Sequence, residues 1–331
     1  MGDFYMKGYL EKEDFIFNTK VYQKIEYNNE IENLAKDKVY EIAKKTTNFM
    51  NKFEDMLSFF KSDSEVSKIN KNAGKCFTRI SKDTFEILKV AEHYSKLTNG
   101  IFDITIAPLV KEWAINSQQP KFLTNKEVNK KLFLVDYEDV VLNESNLSVM
   151  LLRENQQIDL GGIAKGYIAD KIIEFYKNNN VASAVINIGG NIKVLGSKGE
   201  ENLWNVGIYE PKKHSKDVIC SILVKDKSIV TSGGYERAFM YNGEMYNHIL
   251  NPKNGYPVKS DLKSVTVVSN DSIEGDALST PLFIMGKNKA LEFMRKHNIS
   301  GIIVTENDEI IVTRDLLEVF SLFKEYKVLT F

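Results

Sequence analysis

At 331 residues, with 44 Lys plus Arg against 45 Asp plus Glu and a formal net charge of −1, the chain has room for one large or two ordinary domains. It carries no global basic field that would recruit nucleic acid or an anionic membrane. Its two cysteines, Cys76 and Cys220, form no CxxC pair, which excludes a disulfide framework and a cysteine-based zinc site, and 43% hydrophobic with 27% charged residues is the balance of a soluble globular protein.

The start, Met1 to Lys7, has no basic region, apolar run, small-residue cleavage site or lipobox-like cysteine, and no stretch of roughly 18 apolar residues occurs anywhere. The chain as written therefore reads as cytoplasmic, with an extracytoplasmic lipoprotein as the alternative if a leader had been trimmed. Rough alternation over 15 to 27 predicts a strand. Apolar residues from Ile31 to Leu57 recur at three- and four-residue steps and predict one long amphipathic helix. A second helix is expected from Ser81, a plausible N-cap, to Leu97, stopped by Asn99-Gly100. The polar segment 115 to 130 reads as a surface connection and a weak boundary within a single domain. Further helices are expected at 163 to 178, 273 to 285 and 287 to 297. Strands are expected at 181 to 188, 204 to 209, 218 to 225, 228 to 231, 264 to 269, 301 to 305 and 309 to 313, the last two forming a hairpin about Asn307-Asp308. Strands and helices mix without strict βαβ alternation, so the class is α+β, with mixed or antiparallel sheets and packed helices.

Three clusters carry potential chemistry. In Ile158 to Tyr167 (IDLGGIAKGY) an apolar entry meets glycines and then a helix. Glycines let backbone approach a ligand, the helix start favours an anion, and Lys165 can reach a phosphate; the same run also suits a plain strand-to-helix turn. In Asp276 to Thr280 (DALST) a carboxylate and a hydroxyl at i and i+4 share a helix face, hard oxygen ligands suited to Mg²⁺, although a helix-favoured Asp accounts for it too. Pro281 then removes one helical hydrogen bond. The third is the turn-rich loop Tyr246 to Pro257 (YNHILNPKNGYP). Of the four histidines, His248 within it is the best general-base candidate, with a loop-anchoring hydrogen bond as the alternative; His93 lies on a helix face, and His214 and His297 in charged stretches.

Taken in order, seven segments from about residue 17 to 315 resemble the ApbE family, the FAD:protein FMN transferases. They are Leu57 to Asn70 (LSFFKSDSEVSKIN), Thr98 to Thr105 (TNGIFDIT), the Asp159 to Tyr167 run, Asn187 to Asn191 (NIGGN), Thr231 to Arg237 (TSGGYER), His248 to Pro257 and Asp276 to Thr280. The chain departs from the family pattern at Phe17-Asn18-Thr19, at Phe60 where a flavin-stacking Tyr is common, at Asn191, Asn251 and Asn254, and at Pro281. The resemblance implies a T-fold-like ApbE architecture and Mg²⁺-dependent transfer of FMN from FAD to a Thr or Ser hydroxyl of an acceptor flavoprotein, releasing AMP. It implies a metal held by Asp276, Thr280 and the Gly162 carbonyl, with His248 as base. It further implies FAD contacts from Phe17, Phe60, Ile101, Phe102, Asp103, Asp159, Lys165 and the backbone at Ile249. An FAD pyrophosphatase using water and a non-catalytic FAD-binding protein remain the alternatives; a flavin oxidoreductase would want a second nucleotide fingerprint, which is not found.

Overall fold

The computed structural model describes residues 7–115, 117, 119–199, 202–213, 215–235 and 237–331, so His214 and Glu236, discussed above, lie outside the described residues. Among these, a nine-stranded sheet forms the frame. Its spatial order is Lys7–Ile16, Thr19–Asn28, Ala184–Ile188, Asn191–Leu195, Ser228–Gly233, Leu262–Ser269, Ser300–Thr305, Glu309–Val312 and Lys327–Thr330. Neighbours pair antiparallel except at the final pair, which is parallel. The α+β expectation holds.

Period-two alternation sorts the side chains onto two faces. Ala184, Ile186 and Ile188 join a core with the helices Lys36–Leu57, Lys82–Leu97 and Ala164–Asn178, while Val265, Val267, Ile303 and Ile311 pack under Ser272–Met285 and Lys287–His297. On the opposite face Val194, Val268, Ile302, Val304 and Ile310 meet a three-stranded sheet of Trp204–Tyr209, Val218–Val224 and Phe320–Leu322. Helices on one face and strands on the other explain why Leu262–Ser269 and Ser300–Thr305 are buried almost throughout.

Three expectations change. The strand expected over 15 to 27 is a hairpin whose two-residue turn is Phe17-Asn18, both at positive φ (56° and 55°), with Ile16 facing Thr19. That turn demands left-handed backbone, and Phe gives no sequence signal for it, so the alternation reads straight through. The helix expected from Ile31 begins at Lys36, after a 3₁₀ turn at Glu32–Leu34, leaving Ile31 exposed. Within the segment read as a polar connection, Asn125–Leu132 is a helix, started by a capping box between Thr124 and Glu127. It buries Val128 beside Leu109, Trp113 and Leu123. The helix from Ser81 is as expected: Ser81 Oγ accepts from Thr84 N, and Asn99 and Gly100 take positive φ after its end.

Candidate functional site

The glycine run is fixed from both sides. Asn70 pairs with Ile158 as a strand would, its Oδ1 accepting from Ile158 N at 2.7 Å and its Nδ2 donating to Ile158 O at 3.0 Å. Asp159 N donates to Ile104 O at 2.8 Å, and Asp159 Oδ1 accepts from Gly161 N at 2.9 Å. Burial raises the Asp159 carboxyl, against the pull of the Gly161 N–H and Lys165. Gly161 and Gly162 are exposed, and the Phe102 ring lies 3.6 Å from where a Gly162 side chain would begin.

The helix Ala164–Asn178 has no cap from its own N-terminal residue. The cap comes from the neighbouring helix Ser272–Met285, where Asp276 Oδ2 accepts from Gly166 N at 2.9 Å. The service is returned: Asp170, one turn along the first helix, accepts from Ser272 N and Ile273 N at 2.8 and 2.9 Å, and Lys193 Nζ sits 3.1 Å from its Oδ1. Each helix thus satisfies backbone donors that the other leaves orphaned. So close a crossing needs Gly166, since a Cβ there would fall 2.4 Å from Ser272 O and 2.5 Å from Ile273 Cα.

The second Asp276 oxygen faces Lys165. The Lys165 ammonium donates to Gly161 O at 2.6 Å and lies 3.6 Å from Asp276 Oδ1. A cation is therefore already seated between the glycine loop and the Asp276 carboxylate. On the next turn, Thr280 Oγ1 is 2.9 Å from Ser232 Oγ, which is 2.8 Å from Ser279 Oγ. No group of three or more His, Cys, Asp or Glu able to hold a metal occurs among the described residues. What the floor offers instead is one carboxylate with carbonyl and hydroxyl oxygens, a hard donor set that fits Mg²⁺ rather than a thiophilic metal. Pro281 sits inside the helix, buried, one residue beyond Thr280.

A cleft of about 250 Å³ is lined by Phe60, Trp113, Lys111, Leu250, Asp159 and His248. The His248 Nδ1 lies 3.2 Å from Arg237 O, which also accepts from His248 N at 3.0 Å. A carbonyl only accepts, so Nδ1 carries the proton and Nε2 keeps its lone pair. Burial, then Arg237 and Lys165, push His248 down to about 4, so the ring is neutral at physiological pH. The loop-anchoring and general-base readings of His248 are thus compatible: one ring nitrogen does each.

The structure brings Phe60, Asp159 and His248 to one cleft, and beside Asp159 it joins Gly161 O, Lys165 and Asp276; Gly162 is exposed on the same loop, next to Phe102. The remaining candidates carry bonds and contacts within the fold. Asp103 uses its carboxylate on Thr105 N, Thr105 Oγ1 and Tyr137 N, and burial raises it to about 6. Ile249 donates its N–H to Asn247 Oδ1 and accepts from Val258 N. Phe17 packs on the core from the hairpin turn, its N–H bonded to Glu54. Ile101 is half-buried beside buried Phe102. Sequence reasoning missed Trp113, Lys111, Asp170 and Ser232. Trp113 reads as an ordinary core residue, and Asp170 and Ser232 become meaningful only once their partner helix is known.

Residues 17–303 match the ApbE family. An FAD:protein FMN transferase of Klebsiella pneumoniae (strain 342) is 35% identical over 273 residues, covering 82% of this chain and 84% of that protein. One of Treponema pallidum is 31% identical over 256 residues, covering 73% and 71%. The crystal structure of the ApbE protein of Thermotoga maritima is similar with a TM-score of 0.85 at 29% identity, covering 93% of this chain and 98% of that one. The flavin transferase ApbE of Vibrio cholerae shares the fold, with a TM-score of 0.81 at 22% identity and coverage of 96% and 97%.

Proposed function

Because the chain belongs to the ApbE family, we propose that it moves FMN from FAD onto a Ser or Thr hydroxyl of an acceptor flavoprotein and releases AMP. The observation that carries this reading is the cation seat: the Lys165 ammonium held between Gly161 O and Asp276 Oδ1, beside Asp159, which with His248 lines the cleft. A diphosphate is the ligand such a floor suits, because its charge needs neutralising from one side while a nucleophile approaches from the other.

In this reading Asp276, Thr280 and the Gly162 carbonyl hold Mg²⁺, which when bound neutralises charge on the diphosphate oxygens. Lys165 then serves the phosphates, and Asp159 and Phe102 border the nucleotide. Phe60, 91% exposed, offers a ring face to a flavin or to the acceptor. Phe17, Ile101, Asp103 and Ile249 support the walls. His248 Nε2 takes the acceptor hydroxyl proton as its oxygen attacks the FMN phosphorus; the bond from that phosphorus to the bridging oxygen breaks, and AMP leaves with that oxygen. Arg237 and Lys165 depress the His248 pKa in the free protein, so an incoming diphosphate raises it toward the range where a base works best.

The test is to incubate the protein with FAD, Mg²⁺ and an acceptor flavoprotein carrying a Ser/Thr flavinylation site. Covalently fluorescent acceptor and an equal amount of AMP are expected. AMP and free FMN without labelled acceptor would instead mark a pyrophosphatase, and bound FAD with no AMP a binding protein.

A further inference from the structure

We propose that Ser232 is a positioning residue that fixes the direction of the Thr280 hydroxyl proton, so that Thr280 presents an oxygen lone pair to the divalent cation. The inference rests on the cation site proposed above.

Ser279 Oγ lies 3.4 Å from Asp276 O, which can only accept, and we assign the single Ser279 proton to that carbonyl. Ser279 Oγ then meets Ser232 Oγ, 2.8 Å away, only as an acceptor, which commits the Ser232 proton to Ser279. Ser232 Oγ must in turn accept from Thr280 Oγ1 at 2.9 Å. The chain runs one way, Thr280 to Ser232 to Ser279 to the Asp276 carbonyl. Its far end is buried: Ser279 is fully enclosed, and Asp276 is 6% exposed. With its proton spent on the sheet side, the Thr280 oxygen is left as a pure acceptor on its other side. Without Ser232 the hydroxyl is free to rotate and to turn its proton toward the cation. Ser232 stands on the strand Ser228–Gly233, so the central sheet itself sets the ligand's orientation. Partners that orient a metal ligand from behind commonly change affinity by about 10- to 100-fold.

The test uses Mn²⁺ alone with the nucleotide-free protein, counting free Mn²⁺ by its electron paramagnetic resonance signal. Ser232→Ala is expected to weaken Mn²⁺ binding about tenfold, while Ser232→Thr, which keeps the hydroxyl, retains it. In a Thr280→Val background, Ser232→Ala is expected to add almost nothing. Thermal unfolding of each variant checks that the fold persists. Wild-type affinity in Ser232→Ala, or an equal loss with and without the Thr280 hydroxyl, would overturn the proposal. Asp276→Asn separates the two levels of the argument. If it leaves Mn²⁺ binding intact, the cation site itself falls; if it abolishes binding while Ser232→Ala does nothing, only the role of Ser232 falls.

Discussion

On the floor of the site, two helices hold each other by their first turns. Asp276 caps Gly166, Asp170 caps Ser272 and Ile273, and Gly166 has no room for a methyl group. At the rim, Phe60 is 91% exposed and touches mainly Phe59, and His248 hangs from a single carbonyl of Arg237. The floor is built to stay where it is and the rim to receive something. Substitutions on the floor should therefore change stability and chemistry together, and those at the rim chiefly chemistry.

The sharpest way to break this contrast is Asp276→Ala. It removes a cap and a proposed cation ligand together. Turnover should fall by about three orders of magnitude, from the several kcal/mol a metal supplies. Stability should drop by about 1 kcal/mol, the typical worth of a cap. Initial rates and denaturant melts would show both; normal turnover would remove the cation assignment.

His248→Ala comes next, with a rate loss of about 10²- to 10⁴-fold. Because the free folded ring is held down to about 4, below its ordinary 6.5, wild-type kcat/KM should stay level from neutral pH down to mildly acidic pH and fall only near 4, while kcat, set by the protein with FAD bound, should begin to fall at a higher pH. The sign for stability follows. Between about 4 and 6.5 the unfolded chain binds a proton that the folded one refuses, so the stabilisation present above 6.5 is lost as pH drops toward 4. The alanine variant should lack this slope in a pH series of unfolding curves.

Gly166→Ala tests the floor alone. A Cβ against Ser272 O forces the helices apart, at about 2–3 kcal/mol, visible as a lowered melting temperature. An unchanged melting temperature would mean the crossing is not as tight as its geometry. The smallest effect belongs to Phe60→Ala: no change in stability, and a weakening of flavin or acceptor binding of a few-fold, roughly the 0.5–1.5 kcal/mol of one ring contact, measurable by fluorescence titration.

Much of this was legible beforehand, and unevenly. The helix from Ser81 to Leu97 carries its own start and stop signals, and the glycine run and the Asp276–Thr280 pair were visible as separate motifs. What sequence does not contain is pairing. Nothing in Asp170 announces that it caps a helix a hundred residues later, and nothing in Asp103 announces that Thr105 and Tyr137 share its carboxylate. The alternation runs straight through Phe17-Asn18 because left-handed backbone at a phenylalanine leaves no mark in composition.

The mutual tie between the helices Ala164–Asn178 and Ser272–Met285 limits how the pocket can breathe. Prising them apart would strand the N–H groups of Gly166, Ser272 and Ile273, at about 1–3 kcal/mol each. They behave as a fixed anvil. Any opening that admits a ligand must therefore leave this helix pair in place.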